Sequence, residues 1–286
     1  MRFFLITTDH LTDRLLFKDD KDFKQGMNYV PVAAMSVGVI VLAFILMSNH
    51  IHFVLQCEDY EEAKVFIDRF KRLYGFYYCR KYHVEDYLRR LSVDIRELYI
   101  HDESVHRGIA YVQCNSVAAN ITPHASLYEW GTGSTFFREI SSSGRPLSDF
   151  SRSKQRRLLR SKQHLPQEYL ISEGGYIIPE SYVPVTFVQA LFRTSNRYNY
   201  YLINSSKAKQ RLEKDAAPSF RDQVILAAIP DLCMSLFRVS NISELSDDHL
   251  SDFLKQVRRR FSSDVKQLAR VTGLSYERVS SLLDRF

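Results

Sequence analysis

The chain has 286 residues, of which 45% are hydrophobic and 25% charged, a composition that excludes a largely disordered protein. The 39 Lys and Arg residues outnumber the 33 Asp and Glu residues, and the net charge of +6 favours a polyanionic partner without identifying it. The four cysteines are widely spaced, which argues against a disulfide framework or a zinc ribbon. With no signal-like amino end, we expect a cytoplasmic protein.

The first 121 residues alternate between strand and helix patterns. Residues 2–8 predict a strand, 19–35 a helical or irregular connection broken near Pro31, and 38–46 with 50–56 an antiparallel hairpin. Residues 60–82 have the helical period, 92–100 predict a strand, and 102–121 predict a helix. This order predicts the α+β class, with an antiparallel sheet and helices packed on it.

The stretch from Val30 to Met47 has no charged residue and is close to the minimum length that spans a membrane. Pro31, Ser36 and Gly38 interrupt it, however. A short helix followed by a buried strand divides these residues more naturally, and we expect no membrane partner.

Three regions follow a first domain at 1–140. Residues 141–165 predict a basic linker, 166–245 a helical middle region, and 246–286 a helical helix-turn-helix region. The linker's cations could form a solvated helix face or an arm that contacts phosphates. The candidate DNA-binding residues among them are Arg152, Lys154, Arg156, Arg157 and Arg160.

The helix-turn-helix prediction depends on Ala269, Gly273 and Val279, which have the spacing of a small residue at a helix crossing, a glycine in the turn and an apolar anchor. A plain helical hairpin could show the same pattern. In the DNA-binding interpretation, the exposed face of the second helix carries Tyr276, Arg278 and Ser280.

His50 and His52 lie one residue apart in an otherwise apolar predicted strand. Because successive side chains of a strand alternate between its faces, both imidazoles project to one side and could converge on a divalent cation. Core or surface histidines without a metal are the competing interpretation.

Tyr111 and Asn115 lie four residues apart on the predicted helix and therefore share a face. A tyrosine can attack a phosphate that a cation polarises, and an amide oxygen one turn along can complete the ligand set of that cation. Taken by itself, Tyr111 would more often be a core residue.

Together these segments resemble a known family. MSNHIHFVL resembles the histidine–hydrophobic–histidine (HUH) motif of single-tyrosine transposases, and YVQCNSVAANI resembles the YIxxNPVxAG segment of their relatives. Over residues 1–140 the closest resemblance is to REP-associated tyrosine transposases, which are related to the transposases of small insertion sequences.

The resemblance implies a ferredoxin-like domain that uses Mg²⁺ or Mn²⁺ to cleave single-stranded DNA next to a hairpin and forms a 5′-phosphotyrosine link. It implies that His50, His52 and Asn115 are metal ligands and that Tyr111 is the nucleophile. Ser116 and Asn120 depart from the family's usual proline and glycine.

The expected partners are single-stranded DNA hairpins such as repetitive palindromic elements, with duplex DNA at the helix-turn-helix. The alternative is a catalytically silent DNA-binding regulator. The sequence leaves a monomer or a homodimer open.

Overall fold

A four-stranded antiparallel sheet forms the centre of the amino-terminal half, and its strands lie in the order β2-β3-β1-β4. The computed structural model describes residues 1–11, 14–85, 88, 91–138, 143–205 and 220–284. The strands are β1 (Arg2–Thr8), β2 (Ile40–Met47), β3 (His50–Cys57) and β4 (Val93–Leu98). The expectation of an α+β fold with helices on an antiparallel sheet is confirmed.

Two helices connect the strands and cover one face of the sheet. Helix α1 (Asp20–Val37) joins β1 to β2, and α2 (Tyr60–Tyr82) joins β3 to β4. Phe53 of β3 contacts Phe66 and Phe70 of α2, with ring centroids 5.0 and 5.4 Å apart. This face therefore forms the main apolar core.

Helix α1 continues through Pro31, where the sequence predicts a break. Asp19 caps its first turn by accepting a hydrogen bond from the Asp22 amide, and Phe23, Met27 and Val30 are fully buried. Burial of this helix face offsets the hydrogen bond that proline removes. The uncharged stretch 30–47 is thus divided between the end of α1 and β2, as expected.

The opposite face of the sheet carries α3 (Ser104–Gln113) and the short α4 (Asn115–Ala118), which are separated at Cys114 where the sequence predicts one helix. Helices α6 (Val185–Phe192) and α7 (Ser195–Ile203) follow later in the chain. His106 of α3 contacts the Leu191 carbonyl through Nε2 at 2.9 Å, and the Tyr198 hydroxyl donates to Gln113 Oε1 at 2.7 Å. Residues of the middle region therefore pack against α3 and hold it in place.

Residues 143–178 pack against α1. They contain the strands β5 (Arg145–Pro146) and β6 (Leu170–Ile171) and the helix α5 (Arg152–Leu159). Gln25 Nε2 donates to the Leu159 carbonyl at 3.4 Å, and Asn28 Oδ1 accepts from the Ile177 amide at 2.9 Å. Within the segment that the sequence predicts to be a basic linker, residues 143–165 are therefore folded and docked.

Four further helices form a carboxyl-terminal bundle: α8 (Asp222–Phe237), α9 (Asp247–Phe261), α10 (Val265–Thr272) and α11 (Tyr276–Leu283). Its core is separate from the core of the sheet and includes Ile225, Phe253, Leu254, Leu268 and Val279. Short 3₁₀ turns occupy Ala125–Leu127, Leu147–Asp149, Pro179–Ser181 and Ile242–Glu244.

Among the residues that the structure describes, one stretch, Asp222–Glu244, has the length and apolar composition of a membrane-spanning segment. Its helix α8 places Ile225, Ile229 and Cys233 in the core of the bundle, and Asp222 hydrogen-bonds residues outside α8. Length and composition are the features that indicate a membrane span, and 22% of the stretch is buried inside the protein.

Gly131 lies against the outer edge of β2, where the Leu46 amide donates to the Trp130 carbonyl at 2.8 Å. A Cβ atom at Gly131 would lie 2.5 Å from the Phe44 carbonyl oxygen. We expect Gly131→Ala to lower the free energy of unfolding by about 1–3 kcal/mol in urea denaturation.

Gly75→Ala is the matched control. A Cβ atom added at Gly75 would lie 3.6 Å from its nearest neighbour, Leu88 Cβ, which is ordinary contact. Gly75 lies within α2, where alanine favours the helix more than glycine does. We expect Gly75→Ala to be neutral or stabilising by up to about 1 kcal/mol. Equal stability of the two variants would contradict the close packing at β2.

Candidate metal and nucleophile site

The alternation of side chains along β3 places His50 and His52 on the face opposite Phe53. Their ring centroids lie 4.8 Å apart, and both side chains are buried. The prediction that the two imidazoles share one face is therefore confirmed by the strand that carries them.

Asn49 orients the ring of His50. Asn49 Nδ2 donates to the Leu11 carbonyl at 2.7 Å, which directs Asn49 Oδ1 towards His50 Nδ1 at 2.9 Å. Because Oδ1 can only accept, His50 Nδ1 carries the proton and, in the neutral ring, Nε2 carries the lone pair that a cation needs. His52 Nδ1 has a similar contact with Thr7 Oγ1 at 3.1 Å.

His10 joins the pair, which the sequence did not predict. The ligand nitrogens of His10, His50 and His52 lie within 4.8 Å of one another, and the rings of His10 and His50 stack with centroids 3.6 Å apart. His10 is exposed, whereas the other two are buried. This cluster could hold a metal ion.

Tyr111 lies beside the cluster. Its ring centroid is 5.2 Å from that of His52, in an edge arrangement, and the side chain is half-buried. Helix α3 thus brings the predicted nucleophile to the predicted metal-binding face of β3.

Asn115 is placed at the junction of α3 and α4. Its Nδ2 donates to the Tyr111 carbonyl at 2.7 Å and to the Val112 carbonyl at 3.3 Å, so the amide holds the end of the tyrosine helix. Its role as a third metal ligand stays a prediction. Asn120 adopts a φ of 60°, which asparagine tolerates better than most residues.

A cleft of about 920 Å³ opens beside Tyr111, between β1, β4, α3 and the end of α7. Its charges are mixed, with Arg96 and Arg107 near Glu97 and Asp102. The cleft also contains three other tyrosines, which come from segments too distant in sequence to be grouped by pattern: Tyr99, Tyr200 and Tyr201.

A buried carboxylate connects the turn before β3 to the carboxyl-terminal bundle. Ser48 donates to Asp222 Oδ2 at 2.5 Å, while Arg270 Nε donates to the same oxygen at 3.1 Å. Gln267 Nε2 donates to Asp222 Oδ1 at 2.8 Å. The backbone next to Asn49 and His50 is therefore held by residues that lie far away in sequence.

The other predicted DNA-binding residues lie on or next to α5 and on α11, and none of them belongs to the histidine cluster. The five cations of residues 152–160 lie on or at the end of α5 and are exposed. Tyr276 and Arg278 are exposed on α11 and Ser280 is partly exposed, while Arg278 pairs with Asp247. Gly273 adopts a φ of 72° between α10 and α11, and Ala269 and Val279 are fully buried.

No protein-family model matches the chain, and a search of curated proteins finds no relative. The chain resembles the solved structure of a REP-associated tyrosine transposase bound to a REP hairpin, with a TM-score of 0.35 and 9% sequence identity, over 47% of this chain and 78% of that chain. This likeness indicates a distant structural relation and carries no argument about activity.

We expect the protein to bind Mn²⁺, and His50→Ala or His52→Ala to weaken binding at least about tenfold in isothermal titration calorimetry. His10→Ala and Asn115→Ala, measured in parallel, identify the third ligand. His101→Ala, an exposed histidine outside the cluster, is the control and should bind as wild type. Unchanged affinity in both β3 variants would rule out the metal site.

We expect Asp222→Ala to lower the free energy of unfolding by about 3–5 kcal/mol, since it leaves the mostly buried Arg270 guanidinium without its carboxylate. Ser48→Ala should cost about 1 kcal/mol. Asp247→Ala breaks an exposed pair with Arg278 and should cost at most about 1 kcal/mol in the same denaturation series. A cost for Asp222→Ala as small as that control would show that the contact does not stabilise the protein.

Proposed function

We propose that the protein is a metal-dependent single-stranded DNA endonuclease and strand transferase that acts next to hairpins through a 5′-phosphotyrosine intermediate. The observation that carries the proposal is the 5.2 Å separation between the rings of Tyr111 and His52. Tyr111 lines an open cleft, as access of a phosphate to its phenol requires, and the buried His50 and His52 lie behind it on another element.

The architecture supports the same assignment. The element order β1-α1-β2-β3-α2-β4 and the sheet order β2-β3-β1-β4 support the proposed ferredoxin-like domain. His50 and His52 lie on an interior strand of the sheet, and Tyr111 lies on a helix packed against it. An HUH transposase domain would have this arrangement.

The donor set fits a divalent cation. The two imidazoles of β3, with His10 or Asn115, would hold it, and the lone pair on His50 Nε2 suits this role. A set rich in imidazole favours Mn²⁺ over Mg²⁺, which prefers oxygen ligands. The bound cation would polarise the scissile phosphate and stabilise its developing charge.

The reacting group of this chain is the Tyr111 phenol. Its oxygen would form a bond to phosphorus as the bond between phosphorus and the 3′-oxygen breaks. The phenol loses its proton, and the departing 3′-oxygen takes up a proton to become a hydroxyl. Because the phosphotyrosine diester keeps the energy of the broken bond, a 3′-hydroxyl of another strand can displace Tyr111 and rejoin the DNA without ATP.

The cleft suits an unpaired strand. Tyr99, Tyr200 and Tyr201 offer aromatic faces on which bases can stack, and stacking on such faces tolerates any base sequence. Arg96 and Arg107 can contact phosphates there. The proposed substrate is therefore the single strand that flanks a hairpin.

A DNA-binding regulator without catalytic activity is the second candidate. The left-handed Gly273 between α10 and α11, and the buried Ala269 and Val279, favour a helix-turn-helix that could grip duplex DNA. Formation of a covalent adduct separates the two candidates, because a regulator would form none. Both candidates place the protein in the cytoplasm, as a monomer or a homodimer.

We expect a covalent adduct when the protein is incubated with Mn²⁺ and single-stranded oligonucleotides that contain hairpins, labelled on the 3′ side of the cleavage site. Tyr111→Phe should abolish the adduct, because phenylalanine has no hydroxyl to attack the phosphate. Denaturing electrophoresis detects the shifted band, and peptide mapping locates the modified residue.

Tyr200→Phe is the matched control, since Tyr200 lines the same cleft and is exposed. It should retain the adduct. An equal adduct in Tyr111→Phe would refute the nucleophile assignment, and absence of any adduct across a panel of hairpins would favour the regulator.

A further inference from the structure

A second groove, of about 570 Å³, lies on the other side of the sheet from Tyr111. It is formed where α5 docks against α1 and α2, the helices that cover the face carrying Phe53. The groove therefore depends on residues that follow the first 140 as well as on the sheet's own helices.

The groove is strongly basic. Among the described residues that line it, none is acidic. Its cations come from all three helices: Lys21 and Lys24 from α1, Arg80 and Lys81 from α2, and Lys154, Arg157 and Arg160 from α5 with its carboxyl-terminal cap.

Most of this charge is not neutralised locally. Within the part of the chain that the structure describes, Lys21, Lys24, Arg80 and Arg157 have no carboxylate at ion-pair distance. Lys81 differs, because its Nζ lies 2.7 Å from Asp19 and 2.6 Å from Asp22. Several like charges held together by folded helices create a positive potential that attracts a polyanion.

The groove has little capacity for stacking bases. Among the described residues that line the groove, Tyr77 is the only aromatic one. The Arg160 guanidinium lies over its ring, 5.2 Å from the ring centroid. The Tyr77 hydroxyl donates to Asp22 at 3.0 Å. Burial and the Asp22 carboxylate raise the pKa of Tyr77, which keeps this hydroxyl a donor. The ring is therefore engaged inside the protein.

We propose that this basic groove binds the phosphate backbone of duplex nucleic acid, such as a hairpin stem. Cations without aromatic platforms suit a duplex, whose bases are already stacked, whereas sites for single strands combine cations with aromatic rings. The cleft beside Tyr111 has the opposite character, with three other tyrosines and mixed charges. This inference stands without the proposed chemistry, since it concerns binding on another face.

The test is duplex affinity of the full-length chain, measured by fluorescence anisotropy with a blunt hairpin stem over a range of salt concentrations. Lys24→Gln combined with Arg157→Gln should weaken binding about tenfold or more and lower the salt slope by about two, since each lost phosphate contact removes nearly one unit. Lys64→Gln combined with Arg72→Gln is the matched control. It removes the same charge, one lysine and one arginine, from exposed positions of α2 outside the groove, and should bind as wild type.

An unstructured single strand of equal length forms the second arm, and its affinity should change much less in the groove variant. Wild-type duplex affinity in the groove variant would overturn the proposal, and so would equal losses in both double variants, which would indicate only net charge. An equal loss for the single strand would overturn the assignment to duplex. Thermal melting verifies that each variant is folded, and no outcome depends on adduct formation.

Discussion

The candidate site depends on one constraint, the burial of β3 on both faces of the sheet. Because successive side chains alternate between these faces, neighbouring residues of β3 lie in different surroundings. Ile51 and Phe53 pack into the apolar core under α2, while His50 and His52 face α3. A buried imidazole is costly unless its polar atoms are hydrogen-bonded. Asn49 contacts Nδ1 of His50, and Thr7 contacts Nδ1 of His52. The Asn49 contact also determines that Nε2 of His50 carries the lone pair.

The regions beyond the sheet support the site without supplying its reacting groups. Helices α6 and α7 hold α3, and with it Tyr111, through His106 and Tyr198. The carboxyl-terminal bundle reaches the turn before β3 through Asp222, which Ser48 and Arg270 both contact. The positions of Tyr111 and of His50 therefore each depend on residues that lie more than eighty positions later in the sequence.

Two surfaces of contrasting chemistry lie on opposite sides of the sheet. The cleft at Tyr111 combines aromatic rings with mixed charge, and the groove at α5 combines cations with hydrogen-bonded side chains. A hairpin with a single-stranded flank presents both kinds of target in one molecule, a stem with stacked bases and a strand with free ones. The net charge of +6 does not reveal the difference between these two surfaces, because it is a sum over the whole chain.

Local sequence patterns determined much of the secondary structure of this protein. The period of two placed His50 and His52 on one face, and the helical period defined α2 over Tyr60–Tyr82, because both depend only on neighbouring residues. Tertiary structure decided what distant segments bring together: His10 beside His50, Asp222 beneath Ser48, and α5 against α1. The continuation of α1 through Pro31 belongs here too, since burial in the core outweighed a local helix-breaking signal. Such contacts depend on strand pairing and packing, which no short stretch of sequence encodes.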